Sequence, residues 1–153
     1  MTGRYVEQDV RDFIVTKLTS EFNTMIGTIN TERTHATPTS NSFTYKWGMN
    51  QYPFILIDID NSEGITEDYT LDMSYVNLPE TYTLLIMGFL KYANDNIYNY
   101  CEDWIEAIKR ILHNYNDSNI TWIVYVKTER AELYKNENET LKSFLIEFEC
   151  RIN

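Results

Sequence analysis

Residues 95–115, DNIYNYCEDWIEAIKRILHNY, form the most regular pattern in the chain. Apolar side chains recur there in steps of three and four residues, at Ile97, Cys101, Trp104, Ile105, Ile108, Ile111, Leu112 and Tyr115. This spacing places them on one face of a helix. Asn94 or Asp95 can serve as the N-cap, and His113 follows two basic residues at the end where positive charge favours the helix dipole. The pattern predicts a long amphipathic helix in the middle of the chain.

Two strands are predicted after this helix. Alternation over residues 120–127 places four apolar side chains on one face, namely Ile120, Trp122, Val124 and Val126. The last strand alternates in the same way, with Phe144, Ile146, Phe148, Cys150 and Ile152 on one face. The two strands are expected to pair antiparallel. Residues 128–140 between them are highly charged, which predicts a hairpin arm that projects from the domain.

Three further strands are predicted before the helix. Residues 54–59, 69–76 and 80–92 are rich in β-branched and aromatic side chains, and the third of these segments is the most apolar. The sequence NSEG at residues 61–64 has the composition of a turn.

The chain begins with a second helical pattern over residues 5–26. Its apolar stripe consists of Val6, Val10, Phe13, Ile14, Leu18, Phe22 and Met25. Gly27 is the expected end of this helix. Residues 28–51 are rich in Thr, Ser and Asn and predict a long polar loop, with a short strand at residues 42–47.

The order of these elements predicts an α+β fold. A mainly antiparallel sheet of about five strands should pack against the N-terminal helix and the long central amphipathic helix. A length of 153 residues is typical of one domain, so residues 1–153 are expected to form a single unit.

The charge of the chain is strongly negative. Thirteen Lys and Arg against 23 Asp and Glu give a formal net charge of −10. Such a charge disfavours a grip on nucleic acid, although DNA can pass an acidic wall without sticking to it. No apolar stretch approaches 18 residues, so no membrane span is predicted, and the protein is expected in the cytosol when made. Cys101 and Cys150 fall on apolar faces and are expected to be buried thiols.

Asp58 and Asp60 end an apolar strand, YPFILIDID at residues 52–60, and are the strongest catalytic candidates. Two carboxylates on one side of a strand, with Glu63 nearby, can bind a divalent cation. A nuclease site of the restriction type also needs a Glu-x-Lys pair on the neighbouring strand, and the sequence has none. The preferred interpretation is that the strand enters solvent here, and His35 is interpreted as a solvated loop residue.

No other catalytic template fits. The chain has no Gly-x-Ser-x-Gly elbow, Walker loop or Gly-x-Gly-x-x-Gly sequence. Two histidines and two cysteines, all scattered, do not make a standard zinc site. The sequence therefore predicts a protein without a cofactor that is not an enzyme.

The order of elements resembles that of the tail terminator, or tail completion, proteins of tailed bacteriophages. The segment QYPFILID at residues 51–58 matches the proline-led strand that follows the first loop in that family. The polar break Asn-Asp-Asn at residues 94–96 precedes the central helix in the same way. The resemblance covers most of the chain and is one of pattern, without an invariant motif.

The resemblance implies a structural virion protein at the tail–neck junction, assembled in the host cytoplasm. Family members form a ring, commonly a hexamer, that caps the tail tube and meets the head–tail connector, in some cases with the sheath. DNA passes through the ring without specific binding. The implied interface candidates are Tyr45, Trp47, Arg130, Glu132, Tyr134 and Lys135. The implied acidic surface or lumen residues are Asp58, Asp60 and Glu63.

Two other classes of function remain open from the sequence. One is a small acidic adaptor or inhibitor that binds one protein partner through the surface formed by its 12 tyrosines. The other, weaker one is a metal-dependent hydrolase that uses Asp58 and Asp60.

Overall fold

The computed structural model describes residues 5–46, 48, 51–64 and 80–153, with the backbone alone at 61–64. The elements in chain order are α1 (Glu7–Arg33), β1 (Ser42–Thr44), β2 (Phe54–Gly64), β3 (Glu80–Tyr92), α2 (Ile97–Leu112), β4 (Ile120–Lys135) and β5 (Thr140–Ile152). Two helices and one five-stranded sheet confirm the α+β class. Neither helix in this part of the chain is long and apolar enough to cross a membrane. The strand predicted at residues 69–76 lies outside the described residues.

The first helix is longer than predicted. It passes Gly27 and ends at Arg33, and Thr34 then adopts a left-handed conformation with φ 57°. The buried stripe continues through Ile26 to Ile29, so tertiary packing outweighs the helix-breaking tendency of one glycine. The first six residues of the predicted polar loop, 28–33, are therefore helix. The N-terminal helix has 27 residues and the central helix 16, so the central helix is not the long one.

The central helix follows its predicted stripe but begins at Ile97. Its N-cap is Asn96, without a side-chain capping bond, while Asn94 Oδ1 accepts a hydrogen bond from the Asn96 amide at 3.0 Å. The helix ends at Leu112, earlier than predicted, so Tyr115 of the predicted stripe lies outside it. His113 is the C-cap, and its Nδ1 accepts a hydrogen bond from the Tyr125 amide at 3.0 Å. This bond ties the end of α2 to β4.

The sheet is mixed, in the order β1-β2-β3-β5-β4. β2 with β3, β3 with β5, and β5 with β4 are antiparallel, whereas β1 runs parallel to β2. The prediction of a mainly antiparallel sheet was wrong in this respect. A strand of three residues carries too little alternation to indicate its direction.

The core lies between the helices and one face of the sheet. β5 places its predicted face there, and Phe144, Ile146, Phe148, Cys150 and Ile152 are all buried. Gly88 of β3 is paired with Phe144, and the phenyl ring of Phe144 fills the space beside it. A Cβ on Gly88 would lie 2.3 Å from that ring, so the contact requires glycine.

The face predicted for β4 was wrong. The register shifts between Ile120 and Trp122, so Ile123, not Trp122, is buried in the core. A β-bulge adds one residue to a strand and reverses the alternation after it. A prediction that rests on strict alternation of side chains along a strand cannot detect such a bulge.

β2 also differs from its prediction. The strand continues through residues 61–64, where the sequence predicted a turn, because their backbone pairs with the first residues of β3. The register shifts between Ile59 and Asn61, which leaves Asp60 unpaired at a bulge. The regular alternation of side chains along β2 is therefore interrupted at Asp60, and the prediction that Asp58 and Asp60 share one side of a regular strand does not apply.

Candidate interaction surface

The hairpin formed by β4 and β5 presents the most exposed part of the described chain. The side chains of residues 129–138 are all exposed. Its turn is closed by Asn136, whose Oδ1 accepts hydrogen bonds from the amides of Asn138 and Glu139 at 2.8 and 2.9 Å. Asparagine favours such turns because its side chain replaces a backbone acceptor. The charged arm is thus an ordered two-stranded ribbon with a defined end.

One face of this ribbon is attached to α2. Arg130 donates two hydrogen bonds to Glu102, from Nε at 2.5 Å and Nη2 at 2.9 Å, and this contact raises the pKa of Arg130. The hydroxyl of Tyr98 donates to Glu132 at 2.9 Å. Lys135 Nζ donates to the Tyr98 hydroxyl at 3.4 Å. Three of the predicted interface residues are therefore used within the chain to hold the hairpin on the helix.

The remaining interface candidates differ in their exposure. Tyr134 is 44% exposed, and the neighbouring Leu133, which the sequence did not single out, is 53% exposed. Tyr45 is half-buried beside β1, and Trp47 lies outside the described residues. Leu133 and Tyr134 therefore form the apolar part of the hairpin surface. The alternation of apolar and polar residues in the sequence does not show that they are exposed.

β4 is an edge strand of the sheet, and only its first half is covered. The Asn114 amide donates to the Ile123 carbonyl at 2.8 Å, and the Ile123 amide donates to the Tyr115 carbonyl at 3.0 Å. Among the described residues, no backbone group outside β5 pairs with residues 127–132. We call residues 127–132 the open edge. Unpaired strand edges are sites where another strand can add.

Register shifts bound the open edge on both sides. One lies between Tyr125 and Lys127 and the other between Glu132 and Tyr134. The residues inside these shifts are Val126, which is 41% exposed, and Leu133. An exposed apolar side chain therefore stands at each end of a regular stretch of unpaired backbone. Single exposed apolar side chains of this kind flank the unpaired backbone but do not form one continuous patch.

Of the three carboxylates proposed as a metal or lumen site, only Asp58 and Asp60 have described side chains. Asp58 lies 3.1 Å from Arg11 Nη2 of α1, and its Oδ1 accepts the Ile59 amide at 2.8 Å. Asp60 is exposed, and the side chain of Glu63 lies outside the described residues. No group of three or more His, Cys, Asp or Glu suited to a metal ion occurs among the side chains described. Within the described residues, Arg11 is the cationic partner of Asp58.

The two cysteines are buried as predicted. Burial raises the pKa of Cys101 to about 11 and that of Cys150 to about 12. A nucleophilic cysteine requires the thiolate form. These thiols therefore act as small apolar groups of the core.

The sequence missed a buried polar cluster around Asp103. This carboxylate is fully buried and lies 2.8 Å from Arg33 Nη1, 2.7 Å from His35 Nδ1 and 2.5 Å from Thr37 Oγ1. The interpretation of His35 as a solvated residue was wrong. Asp103 lies beside the apolar stripe of α2 and not on it, so the helical spacing gave no signal that this carboxylate is buried.

The cluster attaches the segment after α1 to both helices. Asn30 clamps Thr37 with two hydrogen bonds of 2.9 Å, and Trp104 Nε1 donates to the Pro38 carbonyl at 2.9 Å. A catalytic triad needs a histidine that bridges carboxylate and nucleophile. Here the carboxylate of Asp103 lies at the centre of the cluster. Arg33, His35 and Thr37 each bond to it, so the cluster holds the segment after α1 against α2.

No protein-family model matches this sequence, and no curated protein does. Among solved structures, one similar chain belongs to the "Virion of native gene transfer agent (GTA) particle". The TM-score is 0.56 at 6% sequence identity, over 91% of this chain and 90% of that chain. At this identity the likeness shows a shared fold.

Proposed function

We propose that this protein is a structural component of a phage-like virion that forms a ring on the tail tube, ends tube polymerisation and provides the head–tail joining surface. The observation that carries this proposal is the fold shared with a chain of a gene transfer agent virion over nine-tenths of both chains. The resemblance in sequence pattern to tail terminators supports the same assignment. The role requires no catalysis, and we propose that the chain is not an enzyme.

The surface of the molecule suits assembly. Val126, Leu133 and Tyr134 are exposed, and among the described residues only β5 pairs with the open edge of β4, so these groups are open to a partner. The net charge of −10 suits a channel through which DNA passes without binding. The partners proposed are further copies of the chain, the tail tube protein and the connector, with the sheath where a tail contracts.

Deletion of the gene from the particle that encodes it tests this function. We expect tails of uncontrolled length that carry no heads, measured by electron microscopy of lysates. Expression of the intact chain from a plasmid should restore tail length and head attachment. Tails of normal length joined to heads in the deletion strain would contradict the proposal.

Negative-stain microscopy of the purified protein with its tail tube protein tests the ring directly. We expect a ring or cap at one end of each tube, with six subunits as the family commonly has. Tubes should stop growing when the protein is added. Continued growth with uncapped ends at saturating protein would show that it does not terminate the tube.

A further inference from the structure

Residues 34–41 connect α1 to β1 without burying an apolar side chain. The buried side chains in this stretch are those of Thr37 and Ser40, while Ala36 is exposed and Pro38 is half-buried. We call residues 34–41 the strap. Segments that bury few apolar groups open at a lower free energy than the core of a protein. The strap therefore depends on hydrogen bonds and ion pairs for its position.

Thr34, the first residue of the strap, has a strained backbone. Its φ is 57° and its ψ is 42°, in the left-handed region. This conformation is costly for a β-branched side chain, and at the end of a helix it is usually adopted by glycine. Such strain persists only where the surrounding structure fixes the backbone.

The buried carboxylate of Asp103 fixes the backbone on both sides of Thr34. Arg33 directly precedes Thr34 and donates from Nη1 to Asp103 Oδ1 at 2.8 Å. His35 directly follows Thr34, and its Nδ1 lies 2.7 Å from Asp103 Oδ2. The Thr37 hydroxyl donates to the same Oδ2 at 2.5 Å. Three contacts therefore converge on one group of α2, and the loss of that group removes all three together.

We propose that the strap opens as one unit while the rest of the fold stays closed, with Asp103 as the group that keeps it closed. The strain at Thr34 favours the open form, because an open strap lets this residue return to an ordinary conformation. The inference goes beyond the proposed function and is independent of it.

Opening of the strap reaches the sheet through its last two residues. The Ser40 amide donates to Asn23 Oδ1 of α1 at 3.0 Å, and the Asn41 amide donates to the Pro53 carbonyl at 2.9 Å. β1 begins directly after Asn41, has three residues and pairs with β2. A strand of this length makes few ladder hydrogen bonds, each of which adds only modest net stability. The strap therefore helps to hold β1 on the sheet, and its opening weakens that attachment.

Amide hydrogen exchange of the full chain at pH 7, followed by NMR, tests the proposal. The reporters are four strap amides whose acceptors all lie outside the strap, namely those of His35, Thr37, Ser40 and Asn41. We expect the four to share one protection factor within about threefold, at least about a hundredfold below that of buried amides in α2 and β5. Unrelated protection factors would overturn the proposal. Values equal to those of α2 and β5 would also overturn it, because the strap would then open only with the whole fold.

Substitutions at the holding group and at the strained residue should move all four amides in opposite directions. Asp103→Asn should lower their protection about tenfold or more, because it removes the negative charge and one acceptor. Thr34→Gly should raise it about three- to tenfold, because glycine adopts a φ of 57° without strain. Arg110→Gln is the control, since Arg110 joins the same two helices by pairing with Glu32 of α1 and Glu106 of α2. It should change none of the four.

Thr37→Val is a second test that keeps the shape of the side chain and removes one of the three contacts with Asp103. It should lower the protection of all four amides about threefold or more. This variant replaces Asp103→Asn if the latter does not fold.

Three results with these variants would overturn the proposal. A fall in protection that leaves Ser40 and Asn41 unchanged would show that the strap does not open as one unit. Lower protection in Thr34→Gly would show that the conformation of Thr34 does not favour the open form. An equal fall in Arg110→Gln would show that Asp103 is not the group that keeps the strap closed.

Discussion

His35 Nδ1 lies 2.7 Å from Asp103 Oδ2, across 68 residues of sequence. The carboxylate is fully buried, whereas the imidazole remains 28% exposed. A buried carboxylate is tolerated only where hydrogen bonds and opposite charge replace water. Arg33 and Thr37 supply the other contacts to this carboxylate. Residues 33, 35 and 37 are therefore all held by the one carboxylate of Asp103 in α2.

Replacement of Asp103 by Asn should release this segment. Asn lacks the negative charge that Arg33 binds. Only its oxygen can accept hydrogen bonds, so it cannot serve all three partners as the two carboxylate oxygens do. We expect the free energy of unfolding to fall by about 1–3 kcal/mol, measured by denaturant titration. Glu106→Gln, at a half-exposed ion pair with Arg110 on the same helix, is the control and should change it little. Equal effects of the two variants would show that the buried cluster has no special role.

Gly27→Ala should stabilise the protein. Gly27 lies inside α1 at an exposed position, and no atom lies within 4 Å of a Cβ built there. Alanine restricts the unfolded chain and favours the helix, so a gain of about 1 kcal/mol is expected. Thermal unfolding should show a midpoint roughly 2–4 °C higher. A lower midpoint would mean that the helix does not continue through residue 27.

Gly88→Ala should have the opposite effect. The added methyl group must displace the Phe144 ring, whose nearest atom would lie 2.3 Å away. Overpacking of a core typically costs about 1–3 kcal/mol. In a double-mutant cycle, Phe144→Leu should make Gly88→Ala less costly, because the two residues share one space. Additive effects of the two substitutions would contradict the close packing.

The sequence predicts those parts of the fold that depend on regular periodicity. The stripe of α2 and the alternation of β5 need only local spacing, and both were right. Elements that depend on pairing with distant residues were not predicted. Residues 61–64 are strand because β3 pairs with them, and β4 turns its other face inward because of a bulge.

The candidate surface shows the same division. The sequence identified the charged segment 128–140, but not which of its residues are free. Arg130, Glu132 and Lys135 were interface candidates implied by the resemblance to tail terminators. The structure places them against Glu102 and Tyr98. Which side of a ribbon faces a helix follows from register, and register depends on residues far away in sequence.

Both cysteines should resist thiol reagents while the protein is folded. With the pKa of Cys101 at about 11 and that of Cys150 at about 12, less than about one thiol in a hundred is ionised at pH 8. We expect negligible reaction with a chromogenic disulfide in buffer and two equivalents in denaturant. Rapid labelling of either thiol in the folded chain would show that its burial is wrong.

Asp117 should contribute to stability at neutral pH and lose that contribution in acid. Its desolvation raises the pKa, but hydrogen bonds from the Tyr115 hydroxyl and the amides of Asn119 and Ile120 outweigh it, so the folded-state pKa is lowered. A lowered pKa gives stability that is complete above the unfolded value of about 3.9 and is lost as pH falls through the folded value.

Asp117→Asn tests this dependence. At pH 7 the variant should be less stable by about 0.5–1 kcal/mol, because charge-assisted hydrogen bonds at 2.7 Å from Tyr115, Asn119 and Ile120 are weakened. Below the folded pKa the carboxyl is protonated in both states, so the curves of the two proteins should converge. Glu137→Gln, in the exposed turn of the hairpin, serves as the control. A constant difference between wild type and Asp117→Asn from pH 7 to pH 2 would show that the carboxylate charge is not the source of the stability.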